Sequence, residues 1–400
     1  MKNNAGPLSG LTIIDMSAML LGPLATLTLA DLGANVIKVE PPEGDGRRTI
    51  GPSRNPKMTS QFLNINRGKR SIVIDAKMSA GRDVILQLCK KADAFIHNSR
   101  RQAIDRLGLS YSEISKVNSK IVYCSAVGFG RNGPYADMPA YDDMIQGLAA
   151  IPSLQSRVMG APQYVPLNLS DRICGIAFSQ IILAALLCRQ LTGEGQEVEL
   201  PMFETMADFV LSEHLCGQLF VPPVGELGAQ RMFERRPSKT KDGHICFWLG
   251  TDQQCARFFD AIGEPALKED VRFAKRENRN KNLFVFFDIV DKKLATKNSK
   301  HWIDIFKTLD IAAMPLHTLE TLFEDRHLKE TGFFEIVEHP SEGAIINTAI
   351  PSNWSKFASR RPGPAPGLGE NTLEILLENE YSEADIQQLI ASGAVKQLNK

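Results

Sequence analysis

Short apolar runs alternate with longer amphipathic stretches through the first half of the chain. Leu11 to Ile14 predicts a buried strand, Pro23 to Leu32 a helix with proline in its first turn and Gly33 at its end, and Asn35 to Val39 a second strand, together one βαβ unit. The alternation continues with a strand at Ser71 to Ile74, a helix at Ala80 to Lys91, a strand at Ala94 to His97, a helix near Tyr111 to Val117 and a strand at Ile121 to Val127. Such a series implies an α/β fold, a parallel sheet covered by helices. A long apolar helix is expected from Asp171 to Gln190, running to Thr192-Gly193-Glu194-Gly195, then a strand at Glu197 to Leu200 and a helix from Phe203 to about Gln218.

Beyond Val221-Pro222-Pro223 the pattern changes. Thr240 to Leu249 predicts a hairpin turning at Asp242-Gly243, and amphipathic helices follow near Gln253 to Ile262, Lys281 to Leu294 and Trp302 to Leu309. After Pro315 come a helix at Thr318 to Glu324, strands at Phe333 to Val337 and Ala344 to Ala349, and a proline-rich run from Arg361 to Gly367. The last helix is capped by Ser382 and stopped by Gly393. The expected organisation is a large domain over 1–200, a helical linker over 201–225, a smaller α+β domain over 226–315 and a C-terminal segment over 316–400.

With 400 residues, 43% of them apolar and 23% charged, the chain can bury a large core, and two lobes are expected. Lys+Arg and Asp+Glu both number 46, so no net field draws it to nucleic acid or an anionic membrane. Met1 to Ser9 has no basic segment followed by an apolar one, and the apolar run Cys174 to Cys188 is too short to span a bilayer, so a cytoplasmic protein is expected. Cys89, Cys124, Cys174, Cys188, Cys216, Cys246 and Cys255 form no CxxC pair and mostly sit in apolar runs, which predicts reduced core thiols.

Candidate chemistry narrows by elimination. Gly128-Phe129-Gly130-Arg131-Asn132-Gly133 matches the dinucleotide pattern and follows a strand, but Pro134 and Pro139 forbid the helix that should carry a pyrophosphate at its N-terminus. The first βα turn, Met16 to Gly22, holds a single glycine, although Glu40 ends the next strand about where a ribose-binding acid would sit; the fold reads as Rossmann-like without its phosphate loop. The histidines are scattered, which argues against a catalytic metal, and no serine stands in a G-x-S-x-G frame. Carboxylate chemistry is left. Asp171 lies ahead of the most apolar helix, where backbone N–H groups and the helix dipole would keep it ionised. Taken alone, it reads most simply as an N-cap.

Eleven blocks run in order along the chain: Pro7 to Asp15, Gly22-Pro23, Leu29 to Glu40, Gly44-Asp45, Asn66 to Ile72, Arg106 to Leu109, Gly128-Phe129-Gly130, Tyr141-Asp142, Thr192 to Gln196, Lys241-Asp242-Gly243 and Ala365 to Gly369. In these blocks, and along essentially its whole length, the chain resembles family III CoA-transferases. The resemblance implies transfer of coenzyme A from an acyl-CoA to a small carboxylic acid, with Asp171 as the nucleophile and no tightly bound cofactor. It implies CoA contacts at Met19, Leu21, Ile74, Lys77, Asn98, Ser99, Arg106 and Leu107, and an interlocked, ring-shaped homodimer in which the C-terminal segment returns to the large domain. Asp142 is a second candidate, contacting the acceptor acid or holding the active-site loop.

Departures refine this. His97-Asn98-Ser99-Arg100-Arg101-Gln102 lacks the family's phenylalanine that packs on adenine. Leu20 replaces a first-turn glutamine, and Gly250-Thr251-Asp252-Gln253-Gln254 stands nearest a glycine-rich loop; both point away from a formyl/oxalate reaction. Ala140-Tyr141-Asp142 lacks the histidine of related acyl-CoA racemases, which favours transfer over racemisation. A racemase or lyase and a non-catalytic CoA-binding protein on the same scaffold are the competing readings, with a nicotinamide dehydrogenase further off.

Overall fold

The computed structural model describes residues 6–225, 227–357 and 363–397. Most of the Met1 to Ser9 segment and the start of the Arg361 to Gly367 run lie outside these described residues. The chain divides into two compact units: one combines the chain up to Pro152, Tyr164–Val210 and the chain from Gly332, and the other combines Ser153–Gln163 with Leu211–Thr331.

The larger unit is built on a mixed sheet of β1 (Thr12–Asp15), β2 (Asn35–Glu40), β3 (Arg70–Ile74), β4 (Ala94–His97), β5 (Val122–Val127) and β6 (Gln196–Pro201). These six pair in parallel in the order β3-β2-β1-β4-β5-β6, the order of a doubly wound nucleotide-binding sheet. The two directions of winding meet between β1 and β4, so a crevice is expected beyond their C-terminal ends.

Along these strands, residues alternate between two different interiors. Ile14, Ile37, Val39, Ile72, Ile74, Phe95 and Tyr123 face an apolar core filled by Ile85 and Leu88 of the helix Ser79–Cys89 and by Ile114 of the helix Tyr111–Val117. Ile375, Leu376 and Ile386, from the helices Thr372–Glu378 and Glu383–Ser392, complete it. Asp15, Lys38, Glu40 and Ser71, which alternate with those apolar positions, are equally buried on the opposite side. There Lys69 pairs with Asp15 at 3.1 Å, Lys38 with Asp45 at 2.8 Å and Arg48 with Glu40 at 2.7 Å. Thr26 donates to the same Asp15 oxygen as Lys69, and Ser71 donates to Glu40 Oε1.

Two helices of this unit position the site. α1 (Leu21–Asp31) begins two residues before the expected Pro23, and the expected helix at Asp171 to Gln190 spans Leu169–Thr192. A helix of 24 residues is long and apolar enough to cross a membrane, so the length argument against a span fails. This helix packs against α1, and Gly175 lies so close to it that a Cβ there would stand 3.0 Å from the Leu21 carbonyl oxygen.

The smaller unit carries β7 (Ser238–Lys239), β8 (His244–Trp248) and β9 (Ala312–Pro315), all antiparallel, with the expected reversal between β7 and β8. Its core is aromatic: Phe258, Phe259, Phe273, Phe286, Trp302 and Phe306 pack around Ile245. The helix expected from Phe203 to Gln218 ends at His214 and is followed by the 3-10 turn Cys216–Leu219. Back in the larger unit, β10 (Phe334–His339) and β11 (Gly343–Thr348) form a hairpin, and β12 (Val395–Lys396) adds an antiparallel edge beside β3. Of the cysteines, Cys89, Cys124, Cys174 and Cys255 are buried while Cys188, Cys216 and Cys246 are exposed.

Candidate active site

Asp171 is not the cap of its helix. The helix Leu169–Thr192 makes it the third helical residue, with Asn168 in the N-cap position. Its backbone N–H therefore needs a partner from elsewhere, and donates to Oδ1 of Asp142 at 2.9 Å. Asp142 opens a short helix, α2 (Asp142–Leu148), and α3 denotes Leu169–Thr192 from here on. The Asp171 N–H, committed to Asp142, is not free to donate to a developing oxyanion.

The facing wall comes from the turn after β1. Asp45 fastens it: Oδ1 accepts the backbone N–H groups of Met19 at 3.1 Å and Arg47 at 2.9 Å, while Oδ2 holds the Lys38 ammonium. Met19 is thereby kept at φ 69°, a left-handed conformation that costs an unbranched L residue on the order of 1 kcal/mol. Asn98, just past β4, clasps the same turn, its Oδ1 accepting from Ala18 N at 2.9 Å and its Nδ2 donating to Ala18 O at 2.8 Å.

These elements enclose a cavity of about 360 Å³ lined by Met19, Leu21, Arg47, Asn98, Ser99, Asp142 and Asp171 among others. It opens where the winding of the sheet reverses, with walls from the turns after β1, β4 and β5. A cleft of about 260 Å³, sharing Ala18 and Ser99 with it, is lined by Ile74, Lys77, Leu107, Lys38 and Asp45. The structure thus gathers Met19, Leu21, Asn98, Ser99, Asp142 and Asp171 into one cavity and Ile74, Lys77 and Leu107 into its neighbour. Arg106 joins neither; it is exposed, and its Nε–H donates to Gln102 O at 3.0 Å.

Burial and the adjacent Asp142 charge push Asp171 up to about 6, against the pull of Arg47 and Arg172. Burial thus raises Asp171 against the helix-end effects expected to keep it ionised, and a carboxyl near 6 is still mostly ionised at neutral pH. Arg47, which the sequence reading missed, lines this cavity; its Nη1 donates to Gln61 Oε1 while its Nε is buried without a partner. Glu40, at the ribose position of a dinucleotide fold, is consumed by Arg48 and Ser71. Gly128 and Gly130 serve packing instead of phosphate: a Cβ on Gly128 would stand 2.3 Å from Ala140 Cβ, and Gly130 N–H donates to Glu204 Oε1 at 2.9 Å.

Comparison with known proteins gives the family. The sequence profile of CoA-transferase family III matches residues 8–372. The chain is 31% identical over 394 residues to the succinate–glutarate CoA-transferase of Agrobacterium fabrum, covering 96% of this chain and 98% of that protein. It is 32% identical over 387 residues to the acetyl-CoA:oxalate CoA-transferase of Acetobacter aceti, covering 95% and 97%. Among solved structures, a CAIB/BAIF family protein from Brucella suis matches with a TM-score of 0.81 at 28% identity, covering 94% of this chain and 100% of that one.

Proposed function

The chain belongs to CoA-transferase family III and moves coenzyme A between an acyl-CoA thioester and a carboxylic acid, and we propose that Asp171 is the nucleophile that carries the acyl group. An Asp171 carboxylate oxygen attacks the thioester carbonyl carbon, the C–S bond breaks, and a mixed anhydride and CoA thiolate result. The thiolate then attacks Cγ of Asp171, releasing the first acid and leaving an aspartyl-CoA thioester. The acceptor carboxylate attacks that same carbon, the thiolate leaves, and its return to the new acyl carbonyl yields product and free Asp171.

One observation carries this reading: a poorly solvated carboxylate, poised near 6, in the wall of a cavity beyond the strand ends. Desolvation sharpens a nucleophile that water would otherwise blunt. CoA is read as lying along the neighbouring cleft, with Lys77 offered to phosphate and Ile74 and Leu107 to the adenine or pantetheine. Arg106, placed outside both hollows, is left to a phosphate at the surface.

For the acid we favour a small dicarboxylate. Succinate and glutarate name the Agrobacterium relative, and Arg47, which lines the Asp171 cavity, offers a cation to a second carboxylate. The same reading makes the enzyme a cytoplasmic homodimer of interlocked, ring-shaped chains with no tightly bound cofactor. Exposed apolar Ile176, Leu187 and Leu191 on α3 support a subunit face.

Asp171→Ala and Asp171→Asn should each lose transfer by about three orders of magnitude or more while remaining folded. Wild-type protein mixed with acyl-CoA should show CoA or acyl mass on the peptide holding Asp171. Near-normal turnover in either variant would remove the nucleophile.

A further inference from the structure

The N-terminus of α3 is capped from a distance. Asn168 makes no side-chain cap bond, yet the N–H of Asp171 is satisfied by Asp142 from α2. Asp142 is itself held, because its Oδ2 accepts Gln146 Nε2–H at 2.6 Å. Gln146 stands one turn further along the same face of α2.

Gln146 is fully buried, and both ends of its amide are occupied. Nε2 donates also to the Leu167 carbonyl at 3.2 Å, and Oε1 accepts the Val165 N–H at 3.1 Å. One side chain therefore ties α2 to the short segment that delivers the chain into Leu169, the first residue of α3. A polar side chain at such a depth is costly unless every group is matched, and an apolar residue of similar volume would fill the space without that risk. What the amide adds is orientation.

We propose that Gln146 and Asp142 form a positioning pair for the transfer reaction: Gln146 fixes the Asp142 carboxylate and the segment before α3, and Asp142 fixes the backbone of Asp171. The proposal rests on Asp171 being the nucleophile. A carboxylate attacking a thioester within a walled cavity depends on approach angle, and a displacement of about 1 Å can cost roughly 100-fold. The pair also bears on ionisation. The charges that act on Asp171 are Asp142 on α2, Arg47 on the 3-10 turn Gly46–Thr49 and Arg172 on α3 itself. Of these only Asp142 opposes ionisation, so keeping it in place keeps the nucleophile from becoming a weaker base.

The test compares full-length wild type with Gln146→Met, Gln146→Asn and Asp142→Asn, and runs Asp171→Ala beside them. Folding is followed by circular dichroism and gel filtration. In Gln146→Met kcat should fall about 10- to 100-fold while KM for the acyl-CoA stays within about threefold, because approach is lost and binding is not. Gln146→Asn, which keeps the amide but is one methylene short, should show the same split and replaces the methionine variant if that one does not fold. Asp142→Asn can keep an oxygen for the Asp171 N–H only by setting its own NH2 against Gln146 Nε2–H, so kcat should fall about as far as in Gln146→Met, and in addition the acid limb of kcat/KM should move to lower pH as the like charge disappears. A purely structural stitch would lower thermal stability and leave kcat and the acid limb at wild-type values, and that outcome overturns the proposal. Activity persisting in Asp171→Ala would instead remove the nucleophile itself, which keeps the two failures distinct.

Discussion

At the scale of single residues, Asp171 binds catalysis to instability. Its folded value of about 6 lies above the ordinary 3.8, so the protein holds this proton more tightly than the unfolded chain does. That contribution is complete below about pH 4 and is lost as pH rises through 6; at pH 7 the ionised, half-buried carboxylate is a net cost of about 1–3 kcal/mol. Asp171→Asn should therefore raise Tm at pH 7 by about 2–6 °C and by less at pH 5, while transfer is abolished; an identical Tm at both pH values would contradict the assignment. In the wild type, kcat/KM should fall roughly tenfold per pH unit below about 6. Arg47 offers a separate check. Arg47→Met should raise KM for a dicarboxylic acid about 10- to 100-fold and hardly alter that for a monocarboxylic acid of the same length. Asp171 was legible in the sequence, through its place before the most apolar helix and through the family resemblance. Arg47, Asp45 and Gln146 were not assigned a role, because each acts through partners brought near only by folding, as when Asp45 reaches the N–H of Met19.

Among elements, the contact of α3 with α1 decides where Asp171 sits. Gly175 lies one turn beyond Asp171 on the same face, and a Cβ there would meet Leu21 O and Leu24 Cδ2, each at 3.0 Å. Gly175→Val should push the two helices apart, costing about 1–3 kcal/mol and displacing Asp171 relative to the turn after β1. The expected result is a Tm drop together with a kcat loss of about tenfold or more; a lowered Tm with unaltered kcat would show that the site tolerates the shift. Periodicity located the strands of the large sheet to within a residue or so, since apolar runs between turn signals leave little choice. It missed α2, whose buried face is made of Asp142, Ile145 and Gln146 and so carries no apolar period. It also misplaced the start of α3, because the capping group comes from another helix and not from the adjoining sequence.

For the whole molecule, the buried charges on one side of the sheet are as much a part of the interior as the apolar core on the other. Despite the burial that works against it, Lys69 and Lys38 hold Asp15 down at about 2, and Glu40 and Asp45 are likewise depressed by Arg48 and Lys38. A depressed carboxylate stabilises the fold above its unfolded value and ceases to do so as pH falls through the folded one. The share of urea resistance that these pairs supply should accordingly be steady above about pH 5, apart from the separate loss through Asp171, and decline between about pH 4 and 2, faster than in a variant where Asp15 and Lys69 are replaced together by apolar residues; parallel curves would argue against the assignment. Neither the burial of these charges nor β12 was apparent from sequence, the first because alternation along a strand does not reveal what covers each face, the second because two residues carry no pattern. β12 and the two helices before it have a bearing on biosynthesis. They are translated after the smaller unit, yet they close the sheet that the strands ahead of that unit begin. Once Ile311 has been added the aromatic core of the smaller unit has all its parts, whereas the first strands still wait with a greasy surface uncovered. The sheet begun first is thus covered after the unit inserted into it can already have packed, which leaves the nascent polypeptide exposed to aggregation over that interval.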